Sequence, residues 1–181
     1  MTIDYSRISE YIKKHSGLVT ALNLLDKAIT YITVVLYLAL LVYLYFIGAG
    51  GNRMGYVILY RSILIPGVSF VVVSIFRRKI AAPRPYEVYN FSPAIKKDTV
   101  GKSFPSRHVF SIFIVAATYM QVSVELGLFI GLMGIILAML RVFGGVHFVK
   151  DVICGCIIGI LCGFIGFGVL CGVFNIGMIL S

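Results

Sequence analysis

Two histidines, an aspartate and a group of arginines carry the chemistry this sequence offers. In the stretch RVFGGVHFVKD, five residues separate Arg141 from His147, and three more separate His147 from Asp151. With 147–151 as the first turn of a helix, His147 and Asp151 share one face at i, i+4. The carboxylate then accepts from one ring nitrogen and leaves the other lone pair free to attack. Gly144-Gly145 lets the backbone bend tightly or approach a ligand closely. A second histidine, His108, follows Ser106, a favoured N-cap residue, at the start of another apolar segment, and helix N-termini bind phosphate. Arg77, Arg84, Arg107 and Arg141 come from three separate stretches and present planar donors that match phosphoryl oxygens. This set suits phosphoryl transfer through a histidine nucleophile, with a second histidine as acid and no metal or other cofactor.

The elements that must position these residues are set by hydrophobicity. Of 181 residues, 60% are hydrophobic and 13% charged, with a mean hydropathy of +1.00; a soluble domain carries about 25% charged residues. Apolar runs over 28–47, 55–76, about 107–121, about 124–140 and 152–174 approach the roughly 20 residues that cross a bilayer as a helix. No polar faces of the kind a soluble bundle needs separate them. The expectation is an all-α, polytopic membrane helical bundle of about five transmembrane spans, its middle pair short and joined by a tight connection at 121–125. Residues 1–27 differ: Ile8, Tyr11, Ile12, Leu18, Val19, Leu22 and Leu25 recur at helical spacing among Arg7, Glu10, Lys13, Lys14 and Asn23. That pattern predicts an amphipathic helix in the interface plane ahead of a single membrane domain over 28–181. No cleavage site of a signal peptide follows the first apolar run.

Several residues read as packing. Cys154, Cys156, Cys162 and Cys171 fall in the last apolar segment, where Cys-x-Cys on a helix points its thiols apart, and act as small buried side chains. Gly155, Gly159 and Gly163 stand four apart on one face, which lets a second helix approach closely. Pro66-Gly67 predicts a kink in the second span. Arg61, one to two turns inside that span, is expected to snorkel to its nearby end.

With five spans, the chain brings RRKIAAPRP (77–85), FPSRH (104–108) and RVFGGVHFVKD (141–151) to one membrane face. In that arrangement the sequence resembles the superfamily of type 2 phosphatidic acid phosphatases and vanadium haloperoxidases. Its three motifs, K-x6-R-P, P-S-G-H and S-R-x5-H-x3-D, correspond in order and spacing to R-RKIAAP-RP, PSRH and LR-VFGGV-H-FVK-D over roughly residues 55–175. The resemblance implies that His147 becomes a phosphohistidine, that Asp151 orients it, and that His108 protonates the leaving group and later activates water. Arg84, Arg141 and Ser106 hold the phosphate by the same implication. Three positions depart from the pattern. Arg77 stands in place of lysine, Arg107 in place of the glycine of P-S-G-H, and Leu140 in place of serine. Arg77 keeps the charge, and Arg107 adds a side chain that contacts phosphate or gates the site.

The implied activity is a metal-independent lipid phosphate or pyrophosphate phosphatase. Its substrates are amphiphiles such as undecaprenyl pyrophosphate, phosphatidylglycerophosphate or phosphatidic acid, and the bilayer is its other partner. A lipid phosphotransferase using the same phosphohistidine, and a non-enzymatic small transporter or assembly subunit with a basic anion-binding face, are the rival readings. No nucleic-acid partner is expected, and a homo-oligomer is left open. Apart from the motif arginines, the site face holds Arg7, Lys13, Lys14, Lys27, Arg78, Lys79, Lys96, Lys97, Lys102 and Lys150, against Arg53 and Arg61 opposite. By the positive-inside rule this leans the site of a multi-pass cell-membrane protein towards the cytoplasm.

Overall fold

The structure, a computed structural model, describes residues 4–95 and 100–179, with side chains as far as Gly168. The described residues form the helices α1 (Tyr5–Lys14), α2 (Ser16–Ala49), α3 (Arg53–Ile80), α4 (Pro85–Val88), α5 (Arg107–Tyr119), α6 (Val124–Phe143) and α7 (Val149–Ile179), and no strand. The all-α, multi-pass expectation holds. The helices α2, α3, α6 and α7 are long and apolar enough to cross a bilayer. Their outward faces carry Tyr31, Val35, Phe46, Leu64, Phe129 and Phe164, all exposed. Such a surface is stable where lipid, not water, is the solvent.

The run expected over about 107–121 forms α5, which is shorter than the four long apolar helices. α5 has 13 residues, about 20 Å of helix, short of the roughly 30 Å hydrocarbon core. Its shortness follows from its surroundings. Val109, Phe110, Ile112, Phe113, Ile114 and Val115 are all buried, and α5 packs against α7, α6, α3 and α2. A helix walled off from lipid does not have to match the bilayer's thickness.

The glycine face of α7 makes this packing possible. A Cβ at Gly155 would stand 2.6 Å from the Ser106 carbonyl oxygen, at Gly159 2.7 Å from that of Phe110, and at Gly163 2.4 Å from Ala117 Cβ. Helix α7 therefore lies against the backbone of α5 from its first turn onward. Cys154, Cys156 and Cys162 are free thiols at half-buried positions, while the Cys171 side chain lies outside the described residues.

The amino-terminal segment also differs from expectation. One interfacial helix over 1–27 is replaced by α1, a break at His15 in extended backbone, and α2 starting at Ser16. Only from Ser16 onward does the pattern continue into the first span, because nothing between Ser16 and Lys27 interrupts helical hydrogen bonding. Asp4 caps α1 by accepting from the Arg7 amide. Ser9 donates to the Ser92 carbonyl at 2.9 Å, Asn23 to that of Ala94 at 3.1 Å, and the Val149 amide to the Tyr5 hydroxyl at 3.3 Å. These contacts tie the amino terminus to the face where α3 ends and α7 begins.

Arg61 is not at an interface. It is buried, donates from Nη2 to the Phe167 carbonyl, and lies 5.8 Å from that residue's ring centroid. Within an apolar bundle a carbonyl and an aromatic face on the neighbouring helix are nearer acceptors than the headgroups. Helix α3 runs through Pro66 without interruption.

Close approach of α5 and α7 generates a paired test. Gly159→Ala forces a methyl against backbone and should cost about 1–3 kcal/mol, as overpacking does. Gly131→Ala, where nothing lies within 4 Å, should be neutral or slightly stabilising through helix propensity. Thermal unfolding in detergent micelles reads both; equal melting temperatures would contradict the packing.

Candidate active site

The nucleophile candidate sits on a turn, not on a helix. Helix α6 ends at Phe143, Gly145 adopts φ +74°, and the Arg141 carbonyl accepts from the Val146 and His147 amides at 3.2 Å each. A Cβ on Gly145 would also meet Phe91 at 2.8 Å, so both conformation and space exclude a side chain there. Because α7 starts at Val149, His147 precedes the helix, which corrects the expected placement on its first turn. The turn nevertheless brings His147 and Asp151 together. Asp151 Oδ2 lies 3.4 Å from His147 Nδ1 and accepts from the Phe148 amide at 2.9 Å and from the Ser103 hydroxyl. Ser103 Oγ is 3.3 Å from the same ring nitrogen. Sequence reasoning missed Ser103, since a serine in a polar loop carries no signal until the loop folds over Asp151.

Three of the arginines surround this group. Arg77 donates to the Pro105 carbonyl at 2.6 Å and to that of Lys102; Arg84 donates to the carbonyls of Gly101 and Val146 at 3.1 Å each. Both are buried. Glu87, also unforeseen, fixes the loop by accepting from the Arg84 amide and the Gly101 amide at 2.6 Å each. Arg107 is exposed and lies 5.4 Å from the Phe70 ring centroid.

Helix α5 begins at Arg107, with Ser106 at the N-cap position, but its hydroxyl makes no capping bond and has no partner among the described residues. The Ser106 amide instead donates to the Asp151 carbonyl at 2.8 Å. A cavity of about 510 Å³ is lined by His147, His108, Arg77, Arg84, Arg107 and Lys102, among others, and no carboxylate of the described residues lines it. Burial pushes the His147 imidazole down to about 4, against the upward pull of Asp151; it is neutral at physiological pH. Among the described residues no group of three or more His, Cys, Asp or Glu side chains is placed to hold a metal ion.

Of the expected site residues, Ser106, Asp151 and Arg141 do not line this cavity, and Arg141 has a partner on another helix. It is buried beneath His147 and paired with Asp26 of α2, Nη2 to Oδ2 at 2.9 Å and Nε to Oδ1 at 2.5 Å. Asp26, 115 positions away in the chain, was not anticipated.

Residues 55–171 match the PAP2 superfamily. Two solved structures resemble the fold. The crystal structure of Aquifex aeolicus LpxE has a TM-score of 0.62 at 23% identity, covering 84% of this chain and 93% of that one. That of a transmembrane PAP2 type phosphatidylglycerolphosphate phosphatase from Bacillus subtilis has a TM-score of 0.52 at 21% identity, covering 91% and 90%. At these identities the likeness is one of fold. No curated protein sequence matches the chain.

The loop geometry is testable without any assay of chemistry. Glu87→Ala removes both carboxylate acceptors, so the Gly101 amide should exchange with solvent at least ~10-fold faster, as local opening does when a closing bond is lost. Hydrogen exchange read by mass spectrometry over residues 100–104 measures it. Unchanged protection there would show that Glu87 does not hold the loop.

Proposed function

Because the chain belongs to the PAP2 superfamily, we propose that it hydrolyses a membrane lipid phosphate, without metal, through a phosphohistidine on His147. The observation that carries this reading is the orientation of His147. Its Nδ1 is turned to Asp151 and Ser103, while the ring lines a basic cavity that it shares with His108. Nδ1–H donating to the carboxylate leaves the Nε2 lone pair for phosphorus.

In the first step Nε2 attacks phosphorus and the bond to the leaving oxygen breaks. His108 delivers a proton to that oxygen, so the lipid leaves as a neutral alcohol or a protonated lipid phosphate. In the second step His108 takes a proton from water, the water oxygen bonds to phosphorus, and the P–N bond breaks to release orthophosphate. Arg77, Arg84 and the Ser106 hydroxyl stabilise the equatorial oxygens, whose charge is greatest in the transition state. The buried guanidiniums are already bound to carbonyls, so they do not reorganise when charge develops. In this reading Arg141 supports the turn from behind, which departs from the direct phosphate contact that the resemblance implies.

Arg107, Arg78 and Lys102 add further positive charge to the rim of the same cavity. That excess over one phosphate's needs favours a diphosphate headgroup, as in an isoprenyl pyrophosphate, over phosphatidic acid or phosphatidylglycerophosphate. The fold is membrane-embedded, and the apolar exterior of α2 and α3 keeps the lipid tail in the bilayer while the headgroup reaches the cavity.

His147→Ala should abolish phosphate release from detergent-solubilised lipid phosphates. His108→Ala should lower it by ~10²–10⁴-fold, the usual worth of a general acid. Since His147 attacks only when neutral and its pKa lies near 4, kcat/KM should fall on the acid side only as pH drops towards about 4. An acid limb near 6.5, the ordinary imidazole value, would contradict a desolvated nucleophile.

The charge bias leads us to place the cavity on the cytoplasmic face, and the contacts of α1 with the loop at 92 and with α7 put the basic amino terminus on the same side as the site. A cysteine-free protein carrying Lys79→Cys, an exposed position in the last turn of α3, should resist a membrane-impermeant maleimide in intact cells. Rapid labelling would place the site outside.

A further inference from the structure

We infer that the amino-terminal helix α1 braces the turn carrying His147 from both sides, with Tyr5 as its positioning residue. The inference rests on the phosphohistidine reading above, but the contacts that motivate it stand apart from that reading. On the carboxyl side of His147, the Val149 amide donates to the Tyr5 hydroxyl at 3.3 Å. Val149 opens α7, and amides of a first turn have no acceptor within their own helix. Asp151 accepts from the preceding amide, that of Phe148, at 2.9 Å. Tyr5 supplies the next acceptor from a different element. Its ring also meets Phe148, the residue after His147, edge-on, with centroids 5.5 Å apart and planes at 83°. Tyr89 completes the group, stacked 6.1 Å from Tyr5 and set edge-on 6.3 Å from Phe148. Aromatic pairs favour these geometries beyond the area they bury. Three rings therefore fix where Phe148 points, and with it the backbone of His147.

On the amino side of His147 the brace runs through one further segment. The Gly144 carbonyl accepts from the amides of Ala94 and Ile95 at 3.1 and 3.3 Å. That segment is in turn held from the amino terminus, by Ser9 at the Ser92 carbonyl and by Asn23 at the Ala94 carbonyl. Tyr5 is 7% exposed and Ser9 1%, so both contacts are sheltered from competing solvent. With 10 residues, and parted from α2 by extended backbone at His15, α1 is too short to be more than marginally helical alone. Its docked face of Tyr5, Ser9 and Ile12 holds it in place. Neither Tyr5 nor Ser9 lines the 510 Å³ cavity, so α1 reaches the chemistry only through the turn. When the brace loosens, His147 shifts relative to phosphorus, and a displacement of about 1 Å costs on the order of 10²-fold in rate. Phosphate binding by Arg77 and Arg84 is untouched, so KM changes little.

The test compares substitutions in the full chain in detergent micelles, with phosphatidic acid and undecaprenyl pyrophosphate as probes. Tyr5→Leu removes ring and acceptor together and should lower kcat ~10–100-fold with KM within about 3-fold, the pattern of misplacement rather than lost binding. Tyr5→Phe keeps the three rings and should recover most of that loss, leaving ~2–10-fold, the worth of one hydrogen bond. In a Phe148→Leu background, Tyr5→Leu should cost at least ~3-fold less than in wild type, because its partner is already gone. In parallel, amide exchange over residues 144–149 should quicken at least ~10-fold in Tyr5→Leu, while exchange within α5 stays as in wild type. Wild-type kcat in Tyr5→Leu, independent losses in the cycle, unchanged exchange at 144–149, or faster exchange throughout the bundle would each overturn the inference. If Tyr5→Leu does not fold, Tyr5→Phe and Ser9→Ala carry the decision. Each should lower kcat ~2–10-fold at unchanged KM, and wild-type kcat in both would overturn the inference. Should the wild-type chain release no phosphate at all, the phosphatase reading fails, while the exchange measurement still decides whether α1 holds the turn.

Discussion

Oδ2 of Asp151 receives contacts from three directions: the Ser103 hydroxyl, the Phe148 amide and the His147 ring. From the same residue, the main-chain carbonyl accepts the Ser106 amide. One position thus joins the start of α7, the loop before α5 and the turn after α6. A carboxylate buried at a helix start is favoured by the helix dipole and by donors that would otherwise be unsatisfied. The same oxygen that completes the helix end is the one that orients the imidazole. Capping and imidazole orientation are one interaction here, and the rest of the candidate site is arranged around it.

The arginines divide by the kind of partner they have. Among the described residues no carboxylate forms a salt bridge with Arg77 or Arg84; their donors go to main-chain carbonyls at 101, 102, 105 and 146. Carbonyls satisfy the hydrogen bonds of a buried guanidinium but leave its net charge in place, so the cavity stays positive and attracts an anion. Arg141 is the opposite case, paired with the carboxylate of Asp26. Partner type therefore separates arginines that present a field from one that holds geometry, although all three stand in motif positions and read alike in the sequence.

The legible part of the molecule was what repeats at short range. Hydrophobic runs marked the four long helices, the Gly155–Gly159–Gly163 spacing marked the face that meets α5, and motif spacing brought His147, Asp151, His108, Arg77 and Arg84 to one end of the bundle. Asp26 was not legible, because one acidic residue beside Lys27 looks like interfacial charge and its partner lies on a helix far along the chain. Arg61 was misread for a related reason: whether a charged residue snorkels depends on which carbonyl the neighbouring helix offers, and that is a property of packing. The break at His15 was likewise invisible, since a local loss of helix leaves no periodic trace, whereas the shortness of α5 was legible in its short apolar run.

The length of α5 explains why the loop before it needs its staples. Helix α6 has 20 residues and α5 has 13, and a short turn at 120–123 joins them in antiparallel register. The deficit of about seven residues amounts to about 10 Å of helix, and it falls at the amino-terminal end of α5, where residues 100–106 take its place. Non-helical backbone at such a depth is tolerated only where protein satisfies its polar groups or a polar cavity receives them. Here both conditions are met by the same residues: Glu87 takes the Gly101 amide, Arg77 and Arg84 take the carbonyls, and the cavity takes what remains. A buried helix that stops short thus creates a polar recess within an apolar bundle, and the cations that satisfy its backbone are the ones that leave it positively charged.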